Sequence, residues 1–330
     1  MQYSIDQTVL ADSETIPANP FLGRPPYNVA YATRLGRMLC GKSDEILASD
    51  EVSRFEGKVD LIFTSPPFPL NRKKKYGNET GDAYTKWLCA FGPLFKKMLK
   101  PKGSIVIEMG NSWEPGLPVI STLALRSLLD FQSQNELYLC QEFIWQNPAK
   151  LPSPAQWVNV ERIRVKDSFT KLWWMSPTAT PKASNQRVLQ EYSKAMKALI
   201  KRGSYTAGKR PSQHNISETG FLLDNGGAIP SNVLTYSNTH SGDAYQVYCK
   251  EHGLQPHPAR MPSDLAKFFI KFLTEPGDTV LDPFGGSNTT GAAAEALGRY
   301  WLSIEATPEY VAGSKGRFNG QITYEAQLYF

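Results

Sequence analysis

The chain has 330 residues, of which 41% are hydrophobic and 12% aromatic, a composition that excludes a disordered protein. No apolar run reaches the ~18 residues of a membrane helix, and the N-terminus lacks a signal-peptide stretch, so we expect a cytoplasmic protein with no membrane partner. The four cysteines form no C-x-x-C pair, so neither a metal site nor a disulfide framework is indicated.

The first part of the chain predicts an arm and then a buried strand. Residues 1–28 are polar and rich in proline, which is typical of an N-terminal arm. Residues 59–64, VDLIFT, are largely apolar and predict a strand. An apolar stripe at spacings of three and four predicts a helix over 82–99, and 104–110 predicts the next strand. Strand, helix and strand form a βαβ unit, which indicates a parallel sheet.

The βα pattern continues briefly and is then interrupted. Residues 118–130 predict a helix and 137–145 a strand. Residues 147–256 contain a basic helix at about 185–202 and long polar stretches, and they carry a net charge of +7 against −2 elsewhere. This asymmetry predicts a separate lobe that binds a polyanion, although a solvated basic surface has the same composition. The βα pattern then resumes with a helix over 262–274, a strand over 279–282, a helix over 289–298 and a strand over 300–305.

A turn rich in small residues joins the strand 279–282 to the following helix. It reads Asp282-Pro283-Phe284-Gly285-Gly286-Ser287-Asn288-Thr289-Thr290-Gly291. Small residues let backbone N–H groups at a helix N-terminus approach a ligand. Glu305 ends the next strand, 23 residues after Asp282, where an acid accepts hydrogen bonds from a ribose. The pattern predicts a nucleoside-cofactor site, although an ordinary turn between a strand and a helix can also be rich in small residues. The absence of G-x-G-x-x-G argues against a dinucleotide.

A second motif, Ser65-Pro66-Pro67-Phe68, follows the strand 59–64 directly. Open α/β sheets bind ligands at this end of their strands. Ser65 and the Pro66 carbonyl are suited to accept hydrogen bonds from an amino group, and Phe68 to stack on a planar base. A rigid loop without function would also contain two prolines. No cysteine follows a proline, so the Pro-Cys thiolate of ring-carbon cytosine methylation is missing.

Together the segments TSPPF and DPFGGSNTTG resemble the β class of DNA amino-methyltransferases, in which the catalytic tetrapeptide precedes the cofactor turn. NPAKLPSPAQWVN, RIRVKDS, DNGGAIP, HPARMP and FLTEPGD extend the resemblance between residues 64 and 277. It implies an α/β, Rossmann-like S-adenosylmethionine-dependent methyltransferase fold with circularly permuted motif order and an inserted DNA target-recognition lobe. The implied domains are an arm at 1–28, a catalytic half at 29–146, the lobe at 147–256 and a cofactor-binding half at 257–330.

The resemblance also implies roles for individual residues. Catalysis is assigned to Ser65, Pro66, Pro67 and Phe68, and binding of S-adenosylmethionine to Asp282, Phe284, Gly285, Ser287, Asn288, Thr289 and Glu305. Ser-Pro-Pro-Phe resembles the cytosine-amine branch, whereas the adenine branch usually carries Asp-Pro-Pro-Tyr.

Two positions depart from the family pattern. The family often has Gly-Asp-Ser near the cofactor adenine, where this chain has Gly41-Lys42-Ser43-Asp44, so Asp44 is a candidate for that contact. The strand after the catalytic helix often ends in Asp, and here Glu108 either receives a proton near Ser65 or holds the loop by hydrogen bonds.

The implied substrate is duplex DNA from which the target base is flipped out. We expect phosphate contacts from Arg72, Lys73, Lys74 and Lys75, and from Arg162, Arg164 and Lys166 in the lobe. Because the resemblance runs through the lobe, it implies a short palindromic target such as CAGCTG. A monomer is then sufficient for methylation, with a dimer as the alternative, and a cognate restriction endonuclease is a candidate partner. An adenine-amine methyltransferase and a non-catalytic DNA-binding module on a decayed methylase fold are the alternatives.

Overall fold

The computed structural model describes residues 28–68, 81–238 and 242–326. The predicted arm at 1–28, except for Asn28, lies outside these ranges, and so does the basic run Arg72, Lys73, Lys74 and Lys75. Within them no helix is both long enough and apolar enough to span a membrane.

The strands and helices alternate through most of the chain. The strands are β1 (Val29–Thr33), β2 (Gly36–Cys40), β3 (Val59–Thr64), β4 (Leu99–Gly110), β5 (Tyr138–Gln146), β6 (Phe169–Ser176), β7 (Gly208–Lys209), β8 (Asn215–Ile216), β9 (Val233–Thr235), β10 (Thr279–Asp282), β11 (Tyr300–Glu305) and β12 (Ile322–Glu325). The α-helices are α1 (Ser43–Ala48), α2 (Gly81–Met98), α3 (Leu123–Gln134), α4 (Lys194–Arg202), α5 (Ala244–Glu251), α6 (Ser263–Leu273), α7 (Thr289–Ala296) and α8 (Pro308–Ser314).

One ten-stranded sheet forms the centre of the fold, in the order β12-β1-β2-β11-β10-β3-β4-β6-β5-β9. Strands β2, β11, β10, β3 and β4 run parallel to one another. Every residue of β3 and β10 is buried, because these central strands are covered on both faces. The predicted βαβ unit over 59–110 and the strand–helix–strand segment predicted over 279–305 are confirmed.

The chain leaves the centre of the sheet in two directions. From β3 it crosses through α2 to β4, and from β10 it crosses through α7 to β11 on the other side. A crevice therefore opens where the carboxyl ends of β3 and β10 lie side by side, the usual ligand position in such sheets. The two sequence motifs begin at these two strand ends.

Helix α2 carries the internal residue Pro93, which has no N–H to donate to the Cys89 carbonyl one turn earlier. The Asn135 side chain at the end of α3 donates to that carbonyl at 3.4 Å and to the Phe131 carbonyl at 2.9 Å. Gly92 makes room for this amide, since a Cβ there would lie 1.9 Å from the Asn135 Cγ. A hydrogen bond between α2 and α3 thus replaces the one that the proline removes.

Several predicted boundaries differ from the structure. The helix predicted over 118–130 begins only at Leu123, because residues 113 and 120 form an antiparallel bridge that closes a loop. The basic helix predicted at about 185–202 is α4 alone, with Ser193 accepting a hydrogen bond from the Met196 N–H at its N-terminus. The preceding residues 185–188 form a short 3₁₀ helix.

The predicted lobe 147–256 contributes two strands to the main sheet. Strand β6 lies between β4 and β5 and is antiparallel to both, and β9 pairs with β5. The buried Trp174 indole donates to the Ser104 hydroxyl of β4 at 2.9 Å. An antiparallel neighbour needs no crossover helix, so the βα pattern did not reveal β6. The lobe boundaries stay a prediction for the remaining residues.

Candidate active site

The cofactor turn begins at Asp282, whose carboxylate is buried at the end of β10. Its Oδ1 atom accepts hydrogen bonds from the Thr64 hydroxyl at 2.7 Å and from the Phe284 N–H at 3.1 Å. Burial raises the pKa of Asp282 to about 6, although hydrogen bonds from Thr290 and Thr64 oppose the shift. The turn is therefore attached to the strand that leads into Ser65.

Glu305 lies at the end of β11, beside this turn. Its Oε2 accepts from the Gly286 N–H at 2.9 Å and its Oε1 from the Thr307 N–H at 2.8 Å. Gly286 has a φ of 51°, a left-handed conformation that glycine adopts without steric cost. A carboxylate has about four lone-pair positions, so Glu305 keeps acceptor capacity for a ribose diol.

Asn288 is fully buried and uses its side chain inside the protein. Its Oδ1 accepts from the Gly291 N–H at 3.1 Å and the Ser303 hydroxyl at 2.7 Å, and its Nδ2 donates to the Tyr31 hydroxyl at 2.9 Å. With a φ of 55° it is the N-cap of α7. These bonds fix the shape of the turn and leave the Asn288 side chain little capacity for a ligand.

Arg317 is a residue of this site that sequence reasoning missed. Its Nε donates to the Ser287 carbonyl at 2.6 Å, and its guanidinium lies 4.9 Å from the Tyr245 ring centroid. Burial lowers the pKa of the Arg317 guanidinium, and the Asp243 carboxylate 3.8 Å away opposes that effect. No motif marks this arginine, because its partners come from distant parts of the chain.

The other predicted cofactor residues belong to the turn and join it to neighbouring elements. The Phe284 ring lies 5.1 Å from the Phe91 ring in an edge-to-face arrangement and 5.5 Å from the Trp87 ring, both on α2. Gly285 donates its N–H to the Ile304 carbonyl at 2.8 Å, which joins the turn to β11. Thr289 begins α7 and is buried.

The segment Gly41–Asp44 also lies against the cofactor turn. The buried Ser43 hydroxyl donates to the Pro283 carbonyl, and the Gly41 N–H donates to the Glu305 carbonyl at 2.9 Å. Asp44 is exposed in the first turn of α1, whereas Lys42 pairs with Glu45 at 2.8 Å. Ser43 and Gly41 thus hold the start of α1 against the turn, and the contact predicted for Asp44 stays a prediction.

The tetrapeptide Ser65–Phe68, for which catalysis is predicted, follows β3 and lies against the end of β4. Phe68 packs on Gly110, where an added Cβ would lie 2.5 Å from the aromatic ring. Glu108, two residues earlier, is buried, and its carboxyl interacts with the Ser65 side chain. Burial raises the pKa of Glu108, and the hydrogen bond to Ser65 and the charge of Lys150 oppose this shift.

Lys150 connects the segment NPAKLPSP to the residues that follow β4. Its Nζ lies 3.3 Å from Oδ2 of Asp167, whose Oδ1 accepts from the Asn111 side chain at 2.9 Å. Lys171 donates to the Asn111 Oδ1 at 3.2 Å. This network holds residues 147–171 against the end of β4.

The predicted DNA-contacting residues of the lobe are all exposed on one loop. Arg162 has a φ of 56°, Arg164 donates from Nε to the Pro118 carbonyl at 2.9 Å, and Lys166 donates to the Lys150 carbonyl at 3.3 Å. The hydrogen-bond partners of Arg164 and Lys166 are neutral carbonyls, and none of the three residues forms an ion pair in the described part of the chain, so their charges are available to an anion. The two ends of the loop meet, since the N–H of residue 147 donates to the carbonyl of residue 168 at 2.8 Å.

Comparison with known proteins identifies the family. Residues 59–316 match a family model described as DNA methylase, which covers N6 and N4 amino-methyltransferases. The chain belongs to this DNA methylase family.

Two related sequences and one solved structure support the assignment. The chain is 45% identical over 311 residues to the type II methyltransferase M.PvuII of Proteus hauseri, covering 92% of this chain and 90% of that protein. It is 44% identical over 277 residues to the DNA adenine methyltransferase YhdJ of Escherichia coli (strain K12), covering 82% and 79% of the two chains. The solved PvuII DNA methyltransferase (cytosine-N4-specific) superimposes with a TM-score of 0.70 at 40% identity, covering 88% and 89%. The predicted resemblance and the Rossmann-like methyltransferase fold are confirmed.

Proposed function

We propose that this DNA methylase is site-specific and transfers a methyl group from S-adenosylmethionine to the exocyclic 4-amino group of a cytosine in duplex DNA. The observation that carries the proposal is the Thr64–Asp282 hydrogen bond, which joins the strand ends of the tetrapeptide and the cofactor turn. A methyl donor at one strand end and an amine at the other would meet in the same crevice.

The residues around the turn fit S-adenosylmethionine. The cofactor carries a ribose diol and a cationic sulfonium centre, and the crevice offers the carboxylates of Glu305 and Asp282. Small residues at the start of α7 let the ligand approach the backbone. When bound, the cofactor supplies an electrophilic methyl group, whereas this chain supplies binding and orientation.

The tetrapeptide is suited to activate an amine. The lone pair of an exocyclic amine is delocalised into the base, and acceptors for both N–H bonds return electron density to nitrogen. The Ser65 hydroxyl and the Pro66 carbonyl are such acceptors, and Phe68 provides a surface for stacking. Glu108 lies next to Ser65 and can take up the released proton, since burial raises its pKa.

The proposed substrate is a cytosine within a short palindrome of duplex DNA. The amine inside a duplex is inaccessible, so the cytosine must be flipped out at a cost of a few kcal/mol. We propose CAGCTG, read by the lobe 147–256, with one monomer methylating each strand in turn. A cytoplasmic location and a cognate restriction endonuclease for the same site belong to this proposal.

An adenine-amine methyltransferase is the second candidate, because a relative named as a DNA adenine methyltransferase is 44% identical to this chain. Ser65 in place of aspartate favours cytosine. The non-catalytic alternative is disfavoured, since the tetrapeptide, the cofactor turn and Glu305 are all intact.

Incubation of the protein with labelled S-adenosylmethionine and CAGCTG duplexes, followed by nucleoside analysis, tests all three possibilities. We expect N4-methylcytosine as the product and resistance of the methylated DNA to an endonuclease that cuts CAGCTG. Methyladenine would support the second candidate, and cofactor binding without transfer to any DNA would support the non-catalytic module. Full cleavage of demonstrably methylated DNA would reject CAGCTG and leave the chemistry intact.

A further inference from the structure

Two large apolar side chains protrude from the loop formed by residues 147–168. Leu151 is 80% exposed and Val165 is 87% exposed, the highest values among large hydrophobic residues in the described part of the chain. Two hydrogen bonds join the two halves of the loop. The Asp167 N–H donates to the Ser153 carbonyl at 3.0 Å, and the Lys166 side chain donates to the Lys150 carbonyl at 3.3 Å. Leu151 and Val165 therefore lie on neighbouring segments of the loop.

The loop has an ordered internal structure. The Ile163 N–H donates to the Trp157 carbonyl at 2.9 Å, and the Val158 N–H donates to the Pro154 carbonyl at 3.1 Å. The Arg164–Pro118 hydrogen bond fastens the loop to the one that follows β4. A loop held in this way presents its apolar side chains without a large ordering cost on binding.

The loop is also connected to the catalytic pocket. Leu151 follows Lys150 directly, and Lys150 pairs at 3.3 Å with Asp167, whose carboxylate accepts a 2.9 Å hydrogen bond from Asn111, the residue after β4. The exposed apolar pair therefore lies at the edge of the site that would receive a flipped base.

Charge indicates what covers this apolar pair. Arg162, Arg164 and Lys166 are exposed within the same loop, and none of them has a carboxylate partner in the described residues. A second apolar protein surface would leave these cations beside uncharged groups, whereas a DNA backbone complements them. Proteins that deform DNA often insert an apolar side chain between bases.

We propose that Leu151, supported by Val165, is a wedge that enters the duplex beside the target cytosine and fills the space that the flipped base leaves. The proposal rests on the proposed function. The wedge is a positioning element, because it stabilises the extruded state and touches neither the cofactor nor the reacting amine.

The effect of Leu151→Ala should depend on how strongly the target base is paired. On a fully matched duplex we expect the variant to lose about tenfold or more in kcat/KM, because the stacking that extrusion disrupts is no longer replaced. On a duplex in which the target cytosine faces an abasic site, we expect the loss to shrink to about twofold, since extrusion then costs less. Leu151→Met, which preserves apolar volume, should retain activity on both.

A binding measurement tests extrusion directly. Pyrrolo-cytosine at the target position pairs with guanine and becomes brighter when unpaired, so wild-type protein should increase its fluorescence and Leu151→Ala should not. The matched control is Leu139→Ala, because Leu139 is 42% exposed near the amino end of β5, at the opposite end of the strands from the proposed site. S-adenosylmethionine affinity should be unchanged in both variants, which also verifies folding.

Three outcomes would overturn the wedge. These are equal losses on matched and abasic duplexes, a fluorescence increase in Leu151→Ala equal to that of wild type, and a change of oligomeric state as the source of the loss. In each of these cases wild-type methylation still supports the proposed function. Absence of methylation by the wild-type protein on every DNA would instead reject the proposed function, and the wedge with it.

Discussion

The Thr64 hydroxyl donates a hydrogen bond of 2.7 Å to the Asp282 carboxylate, and both side chains are buried between adjacent parallel strands. Thr64 precedes the first residue of the tetrapeptide, and Asp282 is the first residue of the cofactor turn. The hydrogen bond thus ties the two strand ends together, and under the proposed function it would hold the methyl donor and acceptor sites in a fixed relative position.

Thr64→Val removes this hydrogen bond with little change of volume. We expect a loss of about 1–3 kcal/mol of stability, because Asp282 loses a donor while it stays buried. S-adenosylmethionine affinity should also fall, as measured by calorimetry. Thr85→Val is the matched control, since it removes a 2.7 Å hydrogen bond to Ser127 away from the cofactor turn. Equal cofactor affinity in the two variants would contradict the coupling.

Asp282→Asn should make stability less dependent on pH. Burial raises the pKa of Asp282 to about 6 in the folded protein, from 3.8 as its ordinary value, so the folded state binds more protons between these values. Stability from this group is therefore greatest below about pH 4 and declines as pH rises to about 6, by a few kcal/mol in order of magnitude.

The neutral amide avoids this cost. Urea unfolding should find Asp282→Asn more stable than wild type at pH 7.5, with the difference shrinking at pH 4, while cofactor affinity falls. A stability difference that is the same at both pH values would show that titration of Asp282 is not its cause.

Ser65→Ala should separate chemistry from cofactor binding. We expect the single-turnover rate of methyl transfer to fall by about 10²-fold, because an acceptor aimed at the amine is removed. S-adenosylmethionine affinity should stay within about twofold, since the cofactor turn is untouched. A parallel loss of cofactor affinity would place Ser65 in the cofactor site instead.

Gly110→Ala should displace the Phe68 ring. The added Cβ would lie 2.5 Å from a ring carbon, closer than van der Waals contact permits, so the stacking surface for the base must move. We expect a lower rate on DNA with nearly unchanged cofactor affinity. Gly242→Ala is the control, because nothing lies within 4 Å of a Cβ at that position. Wild-type kinetics in Gly110→Ala would show that Phe68 does not need its present place.

Strands β3, β4, β5, β10 and β11 and both motifs could be predicted from sequence because their signals are local, whereas β1, β2 and β12 were not predicted. Apolar runs ended by small residues marked β3 and β10, and the polar residues at their ends followed within a few positions. The Asn288–Tyr31 hydrogen bond joins residues 257 positions apart and leaves no such pattern. Arg317 is similar, since its contacts with Ser287 and Tyr245 depend on how the chain returns to the turn. Strand β6 was missed because its antiparallel pairing requires no helix.

The salt dependence of DNA affinity should show whether the cations of the loop 147–168 contact phosphates. Arg162→Gln with Lys166→Gln removes two exposed charges, and the slope of log K against log salt should fall by about one for each phosphate that is no longer neutralised. Lys58→Gln with Lys102→Gln is the matched control, because it removes the same charge from exposed positions near the amino ends of β3 and β4, at the opposite end of the strands from the proposed site. Only the first pair should lower the slope, by about two, and replacing Arg72–Lys75 should lower it further if that run also binds phosphates. Equal slopes for both pairs would assign Arg162 and Lys166 to a solvated surface, and the effect of net charge alone would then explain any loss of affinity.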